Sequence, residues 1–365
     1  MQVDYASRIA ALRRIAGVDA IALVPGWNMV YFTGLHFHLS ERPVIALFTQ
    51  DGLSVIVPRL ELLKLHERPD LNAQPFPWSD TEGYQGAFRA AIDALGLHGK
   101  TLGIDGMTLR ATELLTLQAF APTMRVQPVE RDLIHIRARK TPDEIAALRG
   151  ACNIAEQALA ALLPMLQPGM TERQIAAQLA RLMDAHGGEG EAFGTIAQTG
   201  PNTANPHGFP TDRALQTGEF LLLDFGCRYN GYPSDITRTF CLGEPTAQMQ
   251  EIYDTVLRAN EAARAIAAPG VPMRMVDKAA RDVIEAAGYG QYFTHRTGHG
   301  LGLDGHEPIP QIAGNVDDLL EPSMCFTIEP GIYLPELGGV RIEENVVITD
   351  NGLDVLTSFE RKLKI

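Results

Sequence analysis

The chain has 365 residues, of which 45% are hydrophobic and 21% are charged. This length is enough for two domains, and the composition is that of a globular protein with a buried core, which excludes bulk disorder. The net charge of −13 repels phosphate backbones and anionic lipid surfaces, so we expect no nucleic-acid or membrane partner.

The first residues carry no recognisable export signal. Residues 1–14 form an amphipathic helical pattern that lacks both the apolar segment and the small-residue cleavage site of such a signal. The longest apolar stretch, residues 158–166, is broken by Pro164 and is shorter than the roughly 18 residues of a membrane span. Four cysteines lie far apart in the sequence, which favours reduced thiols. We therefore predict a cytoplasmic protein.

Helical and strand patterns alternate in the first third of the chain. The sequence predicts a helix near residues 5–16 and a strand near residues 20–24. Two further strands, residues 44–48 and 53–57, are separated by the turn signal Asp51-Gly52 and should form a hairpin. We expect residues 1–135 to fold as a separate α/β domain.

The second domain, residues 136–365, is expected to contain an internal repeat. Thr141-Pro142-Asp143-Glu144 combines an N-cap threonine, a proline at the first helical position and a capping-box glutamate, and predicts a long helix. Farther on, the motifs at Pro168-Gly169 and Pro269-Gly270 each open a helix. Histidine-bearing loops and a strand with one acidic residue follow each of these helices. Two related halves would aim equivalent strands at one shared cleft, although Pro-Gly helix starts also recur by chance.

The acid of the first half lies in an apolar strand. Asp224 ends the run Leu221-Leu222-Leu223, and a lone buried carboxylate must find a partner or shift its pKa. The turn signal Asn230-Gly231 predicts a hairpin in which Gly226 faces Asp235, unless a bulge intervenes. Asp235 and Asp224 would then be diagonal neighbours on one face. Two like charges at that spacing call for a cation.

The second half repeats this arrangement and adds a histidine. Glu329 and Glu343 are expected to face each other across a hairpin with Leu337-Gly338-Gly339 in its loop. With no lysine between the four acids, metal binding is favoured over salt bridges. His299 lies in Thr297-Gly298-His299-Gly300-Leu301-Gly302, where glycines allow close approach and the neutral imidazole is a common metal ligand. Taken alone, this histidine could equally be a loop residue.

These residues resemble the pita-bread metallopeptidases, the family of methionine aminopeptidase, aminopeptidase P and prolidase. The flanking motifs that carry the resemblance are Ser234-Asp235-Ile236-Thr237-Arg238-Thr239, Glu329-Pro330-Gly331-Ile332-Tyr333 and Gly339-Val340-Arg341-Ile342-Glu343. The resemblance is close over residues 136–365 and holds only in outline over residues 1–135. It implies an α/β (α+β) chain in which a creatinase-type N-terminal domain precedes a pita-bread domain with a pseudo-two-fold internal repeat.

The resemblance also implies a dinuclear metal site and a hydrolytic mechanism. The ligand set it implies is Asp224 on one ion, His299 and Glu329 on the other, and Asp235 and Glu343 bridging both. The nucleophile would be a hydroxide that bridges the ions. Glu329 would also move a proton, while His207 and His306, both in glycine- and proline-rich loops, would line the cleft and assist the tetrahedral intermediate and the leaving group. Because four of five ligands are carboxylates, Mn²⁺ is the first choice, with Co²⁺ and Zn²⁺ as alternatives.

The extra N-terminal domain favours the Xaa-Pro branch of the family over methionine aminopeptidase. A dipeptidase needs a cation for the free carboxylate of its substrate, and arginine matches a carboxylate in a bidentate manner. Arg341 and Arg42 are the candidates, although Arg42 is by default a surface or dimer-contact residue. We expect a homodimeric Xaa-Pro dipeptidase (prolidase) acting on small peptides with proline in second position.

Three alternatives to the dipeptidase stay open at this point. The first is an Xaa-Pro aminopeptidase that acts on longer peptides. A metal-free, creatinase-like amidinohydrolase and a non-catalytic pita-bread binding protein are the others. Both of these are disfavoured because all five ligand types are present.

Overall fold

The computed structural model describes residues 3–365. Met1 and Gln2, the first residues of the predicted N-terminal helical pattern, lie outside this range. Contacts divide the chain into two compact units between Arg137 and Ala138. Among residues 3–365, no helix has the length and apolar character of a membrane span. The four cysteines are free and buried.

The first unit is built on one mixed sheet. Its strands are β1 (Ala20–Leu23), β2 (Ile45–Thr49), β3 (Leu53–Pro58), β4 (Gln74–Trp78), β5 (Thr101–Ile104) and β6 (Arg125–Pro128). Its helices are α1 (Tyr5–Leu12), α2 (Trp27–Thr33), α3 (Leu62–His66), α4 (Gln85–Leu95), α5 (Ala111–Phe120) and α6 (Glu130–Ala138). The order in the sheet is β4-β3-β2-β1-β5-β6. β1 and β5 pair in parallel, whereas β1 and β3 both pair antiparallel with β2.

Two predictions for this unit can be compared with the structure directly. The predicted hairpin is confirmed, with Ile45 of β2 opposite Ile56 of β3. The first helix, expected to extend to residue 16, ends instead at Leu12. Beyond it the chain is held by Arg13, whose Nε donates to the carbonyl oxygen of Thr49 at 2.8 Å. The backbone there tightens into i→i−3 turns, in which the N–H of Arg14 donates to the carbonyl oxygen of Ala11 at 3.1 Å.

The second unit consists of helices and antiparallel sheets. Its helices are α7 (Pro142–Leu162), α8 (Glu172–Ala185), α9 (Ala247–Ile266) and α10 (Met273–Ala286). The strands of its first half are β7 (Ile196–Thr199), β8 (Phe220–Phe225), β9 (Arg228–Tyr229), β10 (Tyr232–Pro233) and β11 (Ile236–Cys241). Those of its second half are β12 (Gly298–Gly300), β13 (Glu307–Ile312), β14 (Cys325–Ile328), β15 (Gly331–Leu334), β16 (Gly338–Arg341), β17 (Glu344–Thr349) and β18 (Gly352–Val355).

The two halves of this unit have the same plan. α7 and α8 pack with the sheet β11-β8-β7 around one apolar core. α9 and α10 pack with the sheet β13-β12-β14-β17-β18 around another. α8 and α10 both contain 14 residues, and each begins at its predicted start motif. The fold class expected from the sequence, an α/β domain followed by a domain with an internal repeat, is confirmed.

Both hairpins that carry the acids are interrupted close to these acids. In the first hairpin Tyr229 faces Tyr232 as predicted, and the pairing resumes in the same register after Asp235. The second hairpin is interrupted at Glu329-Pro330 and at Ile342-Glu343, again without a change of register. Asp235, Glu329 and Glu343 therefore lie where strand pairing is absent, whereas Asp224 lies within β8 and pairs with Thr237.

The turn of the second hairpin differs from the prediction. Gly338 and Gly339, expected in the loop, belong to strand β16 and pair with Leu334 and Tyr333. The reason is close packing against a neighbouring turn. A Cβ on Gly339 would lie 2.3 Å from the carbonyl oxygen of Thr203, so only glycine allows this approach.

Candidate active site

The structure brings the five predicted metal ligands together. Donor atoms of Asp224, Asp235 and Glu343 lie within 4.8 Å of one another, as do those of His299, Glu329 and Glu343. The two groups share Glu343. His299 Nε2 lies 3.3 Å from Glu329 Oε1 and 3.5 Å from Asp235 Oδ2. These residues come from both halves of the second unit and surround one point.

Two buried asparagines form hydrogen bonds with the backbone where the strand pairing of the hairpins is interrupted. Asn345 accepts from the backbone N–H of Asp235 at 3.0 Å and donates to the carbonyl oxygen of the same residue. Asn260 on α9 donates to the carbonyl oxygens of Ile328 at 2.9 Å and Ile342 at 3.2 Å. Both of these carbonyls directly precede a glutamate of the cluster. The sequence analysis missed both asparagines, although a polar residue on the buried face of α9 was an available signal.

Threonine hydroxyls orient the ligand side chains. Thr237 Oγ1 donates to Glu343 Oε2 at 2.6 Å, and Thr327 Oγ1 donates to Glu329 Oε1 at 3.0 Å. The Nδ1 of His299 lies 3.0 Å from the carbonyl oxygen of Gly300. Since a carbonyl can only accept, Nδ1 carries the proton and Nε2 presents its lone pair to the carboxylates.

The electrostatics of the cluster call for a cation. Burial, reinforced by the neighbouring acids, raises the pKa of both Asp235 and Glu343 well above the usual range. Burial, with a contribution from Asp224, raises the pKa of Glu329 to about 7. Burial and the adjacent His306 lower the pKa of His299 to about 3, so this imidazole is neutral. Within residues 3–365, Asp224 Oδ1 is buried without a hydrogen-bond partner. Carboxylates, a neutral imidazole and an unpaired oxygen are a donor set that fits divalent cations.

Both arginines that were predicted to bind substrate form ion pairs within the protein. Arg341 is buried, and its guanidinium donates to Asp224 Oδ2 at 2.5 Å and to the Tyr333 hydroxyl at 2.8 Å. It therefore supplies a positive charge within the acid cluster. Arg42 lies in the first unit, where it forms ion pairs with Asp80 and Glu41.

The ligands open onto a cavity of about 350 Å³. His207 and His306, the predicted cleft histidines, both line it, and so does Arg341. The rings of His306 and His299 are stacked with their centroids 3.8 Å apart. His306 also lies close enough to Asp235 and His299 to offer a donor atom to an ion. Burial lowers the pKa of His306, so its neutral form is favoured.

The sequence analysis missed other residues of the cavity wall. Phe193 and Ile196 form an apolar part of the wall, and His295 and Arg296 also line it. The imidazole of His295 is hydrogen-bonded through Nε2 to the Tyr333 hydroxyl at 2.8 Å. Burial lowers the pKa of His295 to about 4. Its position four residues before His299 was the only available signal, and one histidine among ten is a weak one.

A buried carboxylate anchors the loop that carries His207. Glu172, the first residue of α8, accepts from the backbone N–H of Thr199 and of Thr211, each at 2.8 Å. It also accepts from Asn202 Nδ2 at 2.9 Å. The two ends of the loop are thus tied to one side chain.

In the second half, Asp277 of α10 has a comparable role. It accepts from the backbone N–H and hydroxyl of Thr297 at 3.1 and 2.8 Å, two residues before His299. A carboxylate on the second helix of each half therefore orders a segment that carries a histidine of the cavity.

Comparisons with known proteins agree with this geometry. Residues 146–350 match metallopeptidase family M24, and residues 7–139 match the creatinase/prolidase N-terminal domain. Over 346 residues, covering 95% of both chains, the sequence is 36% identical to an Xaa-Pro dipeptidase of Pyrococcus furiosus.

Solved structures are similar over nearly the whole chain. A prolidase from Thermococcus sibiricus superposes with a TM-score of 0.93 at 34% identity, covering 100% of both chains. An X-Pro aminopeptidase from Thermotoga maritima gives a TM-score of 0.85 at 30% identity, covering 98% of this chain and 100% of the other.

Proposed function

The chain belongs to metallopeptidase family M24, and from this premise we propose that it is a metal-dependent Xaa-Pro dipeptidase. The observation that carries the proposal is the convergence of five metal-ligating side chains on one cavity. The dipeptidase of Pyrococcus furiosus and the prolidase of Thermococcus sibiricus support this substrate class. In this proposal residues 1–135 are the creatinase-type domain and residues 136–365 the catalytic domain.

We propose that the acid cluster holds two divalent ions, with Mn²⁺ as the preferred metal. The proposed ligands are Asp224, Asp235, His299, Glu329 and Glu343. Carboxylate oxygens predominate among their donor atoms, and harder ions prefer oxygen. Bound ions supply the Lewis acidity that activates water and polarises the scissile carbonyl.

The residues of the chain itself hold and move the protons. Glu329 lines the cavity, and its carboxylate is proposed to take a proton from the attacking water and pass it on. The nitrogen of the scissile Xaa-Pro amide is that of proline and carries no hydrogen, so it must gain a proton before it can leave. His207 and His306 line the same cavity and are proposed to contact the carbonyl oxygen and the departing nitrogen.

Hydrolysis assays on metal-defined protein test this function. After chelation and reconstitution with Mn²⁺, we expect Ala-Pro and Gly-Pro to be cleaved and Pro-Ala to be left intact. Protein without metal should be inactive. Absence of Xaa-Pro cleavage with Mn²⁺, Co²⁺ and Zn²⁺ alike would overturn the proposal.

A second candidate is an Xaa-Pro aminopeptidase, which the similarity to the Thermotoga maritima enzyme favours. Comparison of kcat/KM for Ala-Pro and Ala-Pro-Gly separates the two functions. The dipeptidase should prefer Ala-Pro, and the aminopeptidase should prefer the tripeptide.

We also propose that the protein is a cytoplasmic homodimer, as the family resemblance implies. Sedimentation equilibrium at micromolar concentration should give twice the chain mass. A monomer mass would contradict this assembly.

A further inference from the structure

An irregularity in the strand pairing places His306 beside His299. Strand β13 pairs with β12 at Gln311, opposite His299, and again at Glu307, opposite Gly300. Residues 308–310 of β13 lie between these two pairs, whereas β12 has no residue between them. The extra residues form a bulge, and the chain rejoins β12 at Glu307. Because His306 directly precedes Glu307, the position of Glu307 determines where His306 lies.

The imidazole of His306 depends on its backbone for its position. In the structure of residues 3–365, its ring nitrogens form no hydrogen bond or ion pair with another residue. The ring stacks on that of His299, with 3.8 Å between the centroids and 21° between the planes. The backbone N–H of His306 donates to Asp304 Oδ1 at 3.3 Å, which is a long hydrogen bond. The attachment of the next residue, Glu307, is therefore the main constraint on this histidine.

A buried ion pair holds Glu307 in place. Lys140 Nζ donates to Glu307 Oε2 at 3.0 Å, and the two side chains are only 1% and 2% exposed. Lys140 is itself fixed, because Nζ donates to the carbonyl oxygen of Ala138 at 3.2 Å and the backbone N–H donates to that of Ser323 at 2.8 Å. Gly302 packs closely against the same carboxylate, since a Cβ there would lie 2.2 Å from Glu307 Oε1. Glu307 cannot shift without breaking a pair of buried charges.

Stability alone gives no reason for this ion pair. The cost of removing two charges from water offsets much of their attraction, and apolar side chains of similar size are often at least as stabilising. A buried pair does, however, fix the backbone to which it is attached. Such support is what a side chain that contacts a reacting group requires.

We propose that Lys140 and Glu307 form a positioning pair that holds the His306 imidazole at the cavity. The inference rests on the proposed function, in which His306 contacts the scissile carbonyl oxygen or the departing nitrogen. Neither Lys140 nor Glu307 lines the cavity, so the pair acts through the backbone of His306. A displacement of about 1 Å at such a group lowers the rate about 100-fold.

The test measures whether the effect of Glu307 depends on His306. Glu307→Gln keeps the shape of the side chain and removes its charge, and kcat for Ala-Pro should fall about 10- to 100-fold. Equilibrium dialysis should show unchanged Mn²⁺ affinity. In the His306→Ala background, the same substitution should lower kcat by less than a further factor of about 3, because residues that act as a unit are not additive. A merely structural role would lower kcat by the same factor in both backgrounds.

Two further variants make the result specific. Glu307→Gln leaves the charge of Lys140 buried without its partner, which destabilises a fold. The neutral pair, Lys140→Met with Glu307→Gln, carries the test if the single variant does not fold, and it should show the same dependence on His306. Asp354→Asn breaks an exposed ion pair with Arg149 of α7 and is the matched control, which should keep the kcat of the wild type.

The outcomes separate this inference from the proposed function. Equal losses of kcat with and without His306, or wild-type kcat in the Glu307 variants, would overturn the positioning role. A wild type that cleaves no Xaa-Pro peptide would instead overturn the proposed function. In that case a crystal structure of Glu307→Gln tests the inference by itself. The His306 ring should have left its stack on His299, and an unchanged ring position would overturn the inference.

Discussion

Two histidines of the catalytic unit, one from each half, are held in different ways. His299 of the second half is buried to 2% exposure within strand β12. His207 of the first half is exposed on a loop tied at its ends by Glu172. A metal ligand must be held in a fixed geometry, whereas a group that contacts substrate gains from some freedom to adjust. Under the proposed roles, the repeated plan would serve two tasks that need different rigidity.

The largest expected effect follows from removing the buried histidine. His299→Ala should lower kcat/KM roughly 1,000-fold or more, because the loss of one ligand weakens the binding of an ion that the reaction requires. Equilibrium dialysis should show the loss of bound Mn²⁺ in parallel. Full activity with unchanged metal content would show that His299 does not differ from His207 by acting as a metal ligand.

Removing the exposed histidine should slow catalysis without weakening metal binding. His207→Ala is expected to lower kcat about 100-fold, a usual contribution of a positioned proton donor or hydrogen-bond group. Its metal affinity should equal that of the wild type. Loss of bound metal in this variant would show that His207 shares the role of His299.

Removing an asparagine that bonds to the interrupted backbone should have an intermediate effect on metal affinity. Asn260→Ala removes both hydrogen bonds to the carbonyls that precede Glu329 and Glu343. We expect metal affinity to fall about 10- to 100-fold, as is usual for groups that orient ligands. Asn202→Ala, a change in the His207 loop, is the matched control and should leave metal affinity unchanged. Equal metal affinity in Asn260→Ala and the wild type would mean that the hydrogen bonds of Asn260 are not needed to position Glu329 and Glu343.

The last effect concerns pH and the stability of the metal-free protein alone. The pKa of Glu329 is raised from 4.5 to about 7 by folding. The stability gained from its protonated form is therefore complete below about pH 4.5 and is lost as pH rises through about 7, at about 1.4 kcal/mol per pKa unit. Metal-free Glu329→Gln should consequently gain stability relative to the wild type between pH 5 and pH 8 in urea unfolding. Parallel curves for the two proteins would contradict the raised pKa.

Local sequence signals indicated the proposed ligands because each acid lies in a strongly patterned segment. Asn230-Gly231 fixed the register that sets Asp235 diagonal to Asp224, and Asp224 was conspicuous inside an apolar strand. The glycines around His299 indicated close packing, and a Cβ on Gly298 would indeed lie 1.9 Å from the carbonyl oxygen of Thr327. Short-range rules of pairing and periodicity were sufficient for these residues.

The remaining residues of the site depend on contacts between distant segments. Arg341 and Asp224 are separated by 117 positions, and Asn260 reaches Ile342 across 82. Nothing in the sequence around Arg341 reveals that its charge is neutralised by Asp224.

Metal stoichiometry is the most direct test of the proposed active site. Metal-free protein titrated with Mn²⁺ should bind two ions per chain, and the melting temperature should rise with metal concentration. The combined variant Asp235→Asn with Glu343→Gln, which alters both proposed bridging ligands, should bind neither ion tightly. A wild-type chain that binds no divalent ion, or a double variant that still binds two, would contradict the assignment of these five side chains.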